Sequence, residues 1–169
     1  KGDDKDKSTK KPRSEPQKRR KGKLTISAAW SSGGNLNSAR HALTGFGTQT
    51  AGLASGGQTT ADNEEYNGTS WTEVNNLSST RFYAGGAGSQ TTALIFGSYP
   101  NAATTEEYDG TNWTSGGDLN TGRALLNGAG TSTAGLAFGG NADPPITADS
   151  EEYNGSSWTE GNNLNTARQ

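Results

Sequence analysis

The sequence predicts an all-β protein built from repeated four-stranded sheets, and the first observation behind this is a string that occurs three times. It lies at 64–71, 106–113 and 151–158, and each copy reads Glu-Glu-Tyr, then Asn-Gly or Asp-Gly, then two residues and Trp. An Asn-Gly or Asp-Gly pair between strand-like arms is a strong hairpin signal, typical of a two-residue type I′ turn with positive φ at both central residues. One hairpin recurring about every 40 residues is typical of a repeat architecture.

The second observation is a set of landmarks that keep their phase through the chain. The tryptophans are 41, 42 and 45 residues apart: Trp30, Trp71, Trp113 and Trp158. An arginine follows ten residues after each: Arg40, Arg81, Arg123 and Arg168. Aromatic residues at repeat spacing are expected to fill a core. An arginine is costly to bury without a partner, so these four are expected to hydrogen-bond glutamates or carbonyls between neighbouring sheets.

Each repeat supplies four strands. Strand a is the Gly- and Ala-rich run after the arginine, strand b is an apolar run such as Leu94-Ile95-Phe96-Gly97, strand c is Glu-Glu-Tyr, and strand d contains the Trp. Four antiparallel strands in a repeat of about 40–50 residues are typical of a β-propeller blade, whose inner strands crowd around an axis and need small residues. The sequence therefore predicts three blades, at about 40–74, 81–116 and 123–161, preceded by an extra strand near 26–30.

The order of landmarks over residues 30–168 resembles the kelch motif. An arginine is followed by a strand ending in Gly-Gly, a tyrosine, a short turn, a tryptophan, and a leucine before the next arginine. The tyrosine and tryptophan are five residues apart, closer than is usual in kelch repeats. The string Glu-Glu-Tyr-Asn-Gly-x-Ser-Trp-Thr-Glu, with Leu-Asn-Thr-Ala-Arg, is also similar to kelch-like arrays in predicted virion proteins of marine tailed phages. This resemblance implies a kelch-like β-propeller in a virion protein.

Charge divides the chain near Leu24. Residues 1–23 hold eleven basic and four acidic residues, a net charge of +7, whereas 24–169 has a net charge of −9. The first segment has no aromatic or large aliphatic residue to bury, so it is predicted to be an extended arm, flexible or docked on a partner. An acidic protein surface is favoured over non-specific nucleic acid because no aromatic residue is interleaved for base stacking. The docking residues expected in the arm are Lys10, Lys11, Arg13, Lys18, Arg19, Arg20 and Lys21.

The composition argues against an enzyme. The chain has no Cys and one His, His41, which excludes thiolate chemistry and disfavours a multi-His metal centre or a Ser-His relay. No acid–base constellation stands out above the repeat. We therefore expect no catalytic residue, no cofactor and no metal site. No apolar run approaches the roughly 18 residues that a membrane span needs, so no membrane partner is expected.

Three blades do not close a ring of the usual 4–8. The chain also starts at Lys1 and contains no Met, which we interpret as a processed or partial polypeptide. Further blades in a longer parent chain, or other copies of the chain, are expected to complete the ring. Because open blade edges favour association, an isolated monomer is the least expected state.

Recognition is expected where the repeats differ. The b–c loops vary (58–63, 99–105 and 141–150), and in a propeller they open on the same face as the d–a connections. The third loop is longest and has two prolines, which reduce the entropy lost on binding. The candidate ligand- or partner-binding residues in these loops are Gln58, Asp62, Tyr99, Asn101, Asn141, Asp143 and Asp149.

Taken together, the residues and the resemblance predict a non-enzymatic virion structural, decoration or adhesion protein. It would assemble with other virion subunits, display its loops outside the cell and contact host-surface glycans. The alternative is an intracellular kelch-type adaptor that holds a protein partner, which would place the chain in the cytoplasm.

Overall fold

A computed structural model describes residues 31–142 and 145–169 of the chain. The basic arm at 1–23, the extra strand expected near 26–30, Trp30 and Asp143 lie outside the described residues. Every strand lies in one compact unit, Ser32–Gln169.

Within the described ranges the protein has no helix, and its strands form three separate four-stranded antiparallel sheets. The prediction of an all-β protein with four antiparallel strands per repeat is confirmed. In each sheet the strands are hydrogen-bonded in the order in which they occur in the chain. Each sheet is thus one repeat, folded as a simple meander.

The strand bounds follow the repeat. The first sheet contains β1 (Thr44–Thr48), β2 (Ala51–Ser55), β3 (Asn63–Tyr66) and β4 (Trp71–Val74). The second sheet contains β5 (Gly85–Gly88), β6 (Ala93–Ser98), β7 (Ala102–Tyr108) and β8 (Trp113–Ser115). The third sheet contains β9 (Asn127–Thr131), β10 (Ala134–Phe138), β11 (Ser150–Tyr153) and β12 (Trp158–Glu160). Strand a of the repeat corresponds to β1, β5 and β9, and strand c to β3, β7 and β11.

The small residues of strand a are needed because the inner strands approach one another closely. Strand β5 contacts both β1 and β9. A Cβ atom on Gly86 would collide with the Phe46 ring, and one on Gly128 would collide with the Gly86 carbonyl oxygen. Side chains larger than that of glycine at these two positions would therefore push the sheets apart.

The aromatic residues of strands c and d fill the space farther out. In each hairpin the tyrosine lies directly opposite the tryptophan, with ring centroids 4.9–5.0 Å apart. Trp158 packs edge-on against Phe96 of the second sheet at 4.7 Å, and Trp113 packs against Phe46 of the first sheet at 6.4 Å. Trp71 is half-buried and donates its indole N–H to the Gly34 carbonyl at 3.1 Å.

The hairpin turn differs from the type I′ turn that the sequence predicts. Tyr66 pairs with Trp71, which leaves a loop of four residues, 67–70, and Asn67 N donates to Ser70 O at 3.2 Å. Only the glycine, Gly68, has positive φ, at 92°. The Asn67 side chain explains the difference, because its Oδ1 accepts from the backbone N–H groups of the second and third residues after it, an Asx-type turn that leaves Asn67 itself at negative φ. Asp109 and Asn154 make the same two hydrogen bonds.

The second b–c loop is shorter than the predicted span of 99–105. Strand β7 begins at Ala102, so the connection is only 99–101 and contains a cis Tyr99–Pro100 peptide. Pairing of Phe96 with Thr105 and of Ser98 with Ala102, across a register shift, extends the ladder into the predicted loop. This sheet therefore presents a short, aromatic tip where a longer polar loop was expected.

Candidate functional site

The repeated arginines and glutamates form the buried polar framework of the sheets. Their side chains are 0–3% exposed. The three ion pairs are Arg40–Glu64 at 2.8 Å, Arg81–Glu106 at 2.8 Å and Arg123–Glu151 at 2.7 Å. Burial lowers the pKa of the Arg123 guanidinium, and the Glu151 carboxylate opposes that shift. The glutamate partner of each arginine lies in the sheet that follows the arginine in the chain.

Each framework glutamate also holds the incoming chain segment. The second carboxylate oxygen of Glu106 accepts from Ser78 N at 2.9 Å, and Glu151 accepts from Asn120 N at 2.7 Å. The arginine backbone joins the preceding sheet, since Arg81 O accepts from Gly57 N at 2.9 Å. The carboxylates of these glutamates are occupied by ion pairs and hydrogen bonds within the fold, and they are not positioned as free acids or bases.

The second glutamate of the first two Glu-Glu-Tyr strings joins its sheet to the next. The Tyr108 hydroxyl donates to Glu65 of the first sheet at 3.0 Å, and the Tyr153 hydroxyl donates to Glu107 of the second sheet. Burial, with these hydrogen bonds, raises the pKa of Tyr108 above its usual value and the pKa of Tyr153 to about 12. The tyrosines are therefore neutral donors at physiological pH.

In residues 31–142 and 145–169, no cluster of three or more His, Asp or Glu side chains is arranged to hold a metal ion. Over the same ranges, no helix is long and apolar enough to cross a membrane. His41 is exposed, three residues before β1, and its carbonyl accepts from Gln58 N at 3.1 Å.

The b–c loops and the d–a connections form one face, here called the loop face. Backbone hydrogen bonds join the two kinds of connection in the second and third sheets, from Tyr99 N to Phe82 O at 3.0 Å and between Asn141 and Ala124 in both directions. Across neighbouring sheets, Leu125 N donates to Tyr83 O at 2.8 Å. The variable segments of adjacent repeats are thereby placed side by side.

A recess of about 270 Å³ opens on the loop face between the second and third sheets. It is lined by Tyr99, Pro100, Asn101, Ala124, Leu125 and Asn141. The structure therefore brings together three of the predicted loop residues: Tyr99, Asn101 and Asn141. The Tyr99 ring is 55% exposed and lies 5.4 Å from the Phe82 ring, which supports it from behind.

The other predicted loop residues do not join this recess. Gln58 is exposed on the first sheet's loop. The Asp62 carboxylate accepts from the Asn76 side chain at 3.0 Å, and the Asp149 carboxylate accepts from Asn163 at 2.9 Å. These two aspartates brace a b–c loop against the following connection.

The d–a connections, which were expected on this face, also contribute side chains to it that were not among the predicted binding residues. Tyr83 is 42% exposed, and its ring lies 5.7 Å from that of Phe82. Ala42, Tyr83 and Leu125 each occupy the second position after a repeated arginine, and each has positive φ, at 55–58°. The sequence contained a signal for this contribution, because the residue at this position differs in every repeat while the arginine two residues before it is constant.

No protein-family model matches the chain, and no curated protein matches it significantly.

Proposed function

We propose that the chain forms kelch-like β-propeller blades of a non-enzymatic virion decoration or adhesion protein, and that its loop face binds glycans on a host surface. One observation carries the proposal: the exposed Tyr99 ring beside Asn101 and Asn141 at a recess of about 270 Å³. An aromatic ring offers a flat apolar surface to the C–H face of a sugar, and amide side chains can hydrogen-bond its hydroxyl groups.

The use of the carboxylates supports a binding role. Glu106 and Glu151 are buried in ion pairs, and Glu65 and Glu107 accept hydrogen bonds from tyrosines. None of these four groups lines the recess. A site with aromatic and amide groups, and with no carboxylate among its described lining residues, is suited to holding a neutral polar ligand without altering it.

The experiment is binding of the 169-residue chain to a panel of immobilised oligosaccharides, followed by titration with the best of them. Tyr99→Ala should weaken binding by about tenfold or more, since the loss of ring contact is about 1.4 kcal/mol or greater. The matched control is Thr133→Ala, an exposed residue in the β9–β10 turn at the opposite edge of the sheets, which should bind as the unaltered chain does. Glycan binding that Tyr99→Ala leaves unchanged would reject the recess as the site.

A kelch-type adaptor is the second candidate, and the apolar residues around the recess favour it. Tyr83 and Ile146 are each 42% exposed, and Ile146 forms a β-bridge with Asn141. Exposed aromatic and aliphatic side chains around a recess suit a peptide or protein surface. Absence of glycan binding, with capture of a defined peptide that depends on Tyr83 and Ile146, would select this function.

The basic arm at 1–23 gives the virion proposal a further test. Its charge of +7 is opposite to that of residues 24–169, so we propose that it docks on an acidic subunit surface. Attachment to purified particles should weaken as salt is raised from about 0.05 to 0.2 M, because screening and counterion uptake oppose contacts between opposite charges. A chain lacking 1–23 should lose this attachment while retaining the glycan binding of the loop face.

A further inference from the structure

The third sheet exposes a face that its neighbours keep buried. Leu53, Leu94 and Leu136 occupy the same position of strand b in the three sheets, and they are 1%, 0% and 36% exposed. In the first and second sheets, the next sheet in the chain packs over this face. On the third sheet the face borders an open recess of about 370 Å³, lined by Leu136, Phe138, Ser150, Glu152, Asn162 and Leu164.

The acceptor of the intersheet hydrogen bond is also open on this face. Glu65 and Glu107 each accept from the tyrosine hydroxyl of the following sheet. Glu152 occupies the equivalent position in the third sheet and is exposed, and no side chain in the described ranges hydrogen-bonds its carboxylate. A tyrosine hydroxyl placed as in the two existing interfaces would meet it.

Arg168 provides a second, independent match. Its carbonyl accepts from Gly140 N at 2.8 Å, as the Arg81 carbonyl accepts from Gly57 N, so its backbone is placed as the arginine that begins a repeat. Its guanidinium is exposed, and its Nε donates only to the Thr166 carbonyl, at 3.3 Å. The other three arginines each pair with the first glutamate of the following sheet, whereas no described carboxylate pairs with Arg168.

We propose that this face of the third sheet is a docking surface for a further four-stranded sheet of the same repeat type. The occupant carries a Glu-Glu-Tyr hairpin with a tryptophan five residues after the tyrosine. Its first glutamate pairs with Arg168, its tyrosine hydroxyl donates to Glu152, and its tryptophan packs against Phe138, as Trp158 packs against Phe96. Arg168, Glu152 and Phe138 on this face are thus complementary to the glutamate, the tyrosine and the tryptophan that the repeat string supplies at fixed spacing.

A second copy of this chain does not fit the surface, although it contains the same string. In the first sheet, Glu64 already pairs with Arg40 at 2.8 Å and accepts from Asn37 N at 2.8 Å. The Trp71 indole already donates to Gly34 O at 3.1 Å. Residues 33–40 thus occupy, on the first sheet, the place that 161–168 of another copy would need. The occupant is therefore a sheet whose glutamate has no arginine of its own.

The test adds such a sheet to the protein. The chain is extended after Gln169 by a second copy of residues 125–169, which keeps the spacing from Arg168 to the added Glu-Glu-Tyr equal to that from Arg123. We expect one cooperative unfolding transition in urea, at a higher midpoint than that of the 169-residue chain. An added segment that leaves the original midpoint unchanged, or unfolds in a separate transition, overturns the proposal.

Substitutions at the surface report on the specific contacts. Glu152→Ala and Arg168→Ala should leave the urea midpoint of the 169-residue chain unchanged, because both side chains are exposed and no described side chain pairs with either of them. Each should lower the midpoint of the extended chain. The matched control, Glu107→Ala, should lower the midpoint of both chains. Equal effects of Glu152→Ala on the two chains would mean that Glu152 makes no contact with the added sheet.

Sedimentation distinguishes the committed occupant from a second copy. In contrast to the self-association expected from open blade edges, the 169-residue chain should sediment as one species whose mass is independent of concentration and of the Glu152→Ala substitution. Dimers or longer oligomers that dissociate in Glu152→Ala would show that copies of this chain occupy the surface, and would overturn the choice of occupant. None of these measurements involves the loop face, so their outcome is separate from that of the glycan experiment.

Discussion

The second and third sheets share a sequence pattern but differ in their surroundings. Both have a leucine at the same position of strand b, Leu94 and Leu136, and the first is fully buried whereas the second is 36% exposed. Both have a second glutamate in strand c, and Glu107 accepts a tyrosine hydroxyl whereas Glu152 has no such donor among the described residues. The role of a repeated residue is therefore set by what packs on its sheet, which the repeat pattern alone does not reveal.

The largest expected difference between equivalent positions concerns the arginines. Arg81→Ala should lower the free energy of unfolding by about 3–5 kcal/mol, because it leaves the Glu106 carboxylate buried without its charged partner. Arg168→Ala should change it by no more than about 0.5 kcal/mol, since that side chain is exposed. Urea unfolding followed by tryptophan fluorescence measures both.

Arg81 also discriminates between a scaffold and a ligand-binding role. If Arg81→Ala left the free energy of unfolding unchanged but abolished binding of a ligand, the repeated arginines would belong to a binding site. The buried hydrogen bonds from Arg81 to the Gly97 and Thr104 carbonyls, at 3.1 and 2.8 Å, favour the scaffold.

The leucine pair gives the next largest contrast. Leu94→Ala should cost about 2–5 kcal/mol, because the residue is completely buried and the substitution leaves a cavity in the core around Phe96 and Trp158. Leu136→Ala should cost about 1 kcal/mol, since a large part of its side chain is already in contact with water. Similar costs at both positions, measured by urea unfolding, would indicate that the third sheet is covered in solution.

The sequence predicts features of the fold that depend on residues close together in the chain, and it does not predict those that depend on distant residues. Strand c and strand d were recognisable because Tyr153 and Trp158 belong to one hairpin, whose signal lies within eight residues. The all-β class and the four strands per repeat followed from that local signal and its recurrence. The pairing of Arg123 with Glu151 within one repeat did not follow from the local signal, because a spacing of 28 residues offers several equally plausible partners.

The candidate site shows the same limit. Tyr99 and Asn141 were identified because they lie in loops that differ between repeats, yet nothing local indicated that Asp62 would be held by Asn76. The b–c connection at 99–101 was predicted too long because strand pairing across a register shift depends on the partner strand and not on loop composition. Tyr83 escaped notice because it follows a repeated arginine, in a segment assigned to the scaffold.

The intersheet tyrosines should make stability depend on alkaline pH. The pKa of Tyr153 is raised to about 12 in the folded chain, and a tyrosine in the unfolded chain ionises near pH 10. Its contribution is therefore fully present below about pH 10 and is lost between about pH 10 and 12. Tyr153→Phe should cost about 1.5–3 kcal/mol at neutral pH, because the hydrogen bond to a charged Glu107 is lost.

The control for this pH dependence is Tyr66, the equivalent tyrosine of the first sheet. No hydrogen bond joins its hydroxyl to a carboxylate in the described part of the chain. The fall in the free energy of unfolding above pH 10 should be smaller in Tyr153→Phe than in the unaltered chain, and unchanged in Tyr66→Phe. An equal reduction in both variants would mean that the hydrogen bond to Glu107 is not the source of the fall in the free energy of unfolding above pH 10.

The smallest expected effect lies in the hairpin turns, where Asp109 replaces the asparagine of the other two repeats. Backbone N–H groups of Asn112 and Thr111 lower the pKa of Asp109. The charged carboxylate therefore contributes stability above the unfolded pKa, near 4, and this stability is lost as the pH falls through the folded pKa.

Asp109→Asn should leave the free energy of unfolding at pH 7 nearly unchanged, because Asn67 accepts the same two hydrogen bonds, at 2.9 and 3.0 Å, in its own turn. The variant should unfold at a lower pH than the unaltered chain in an acid titration, since a side-chain amide keeps its acceptor oxygen when carboxylates are protonated. An unaltered acid transition would mean that the Asp109 carboxylate does not contribute to the acid sensitivity of the fold, and that the three turns are equivalent in spite of their different residues.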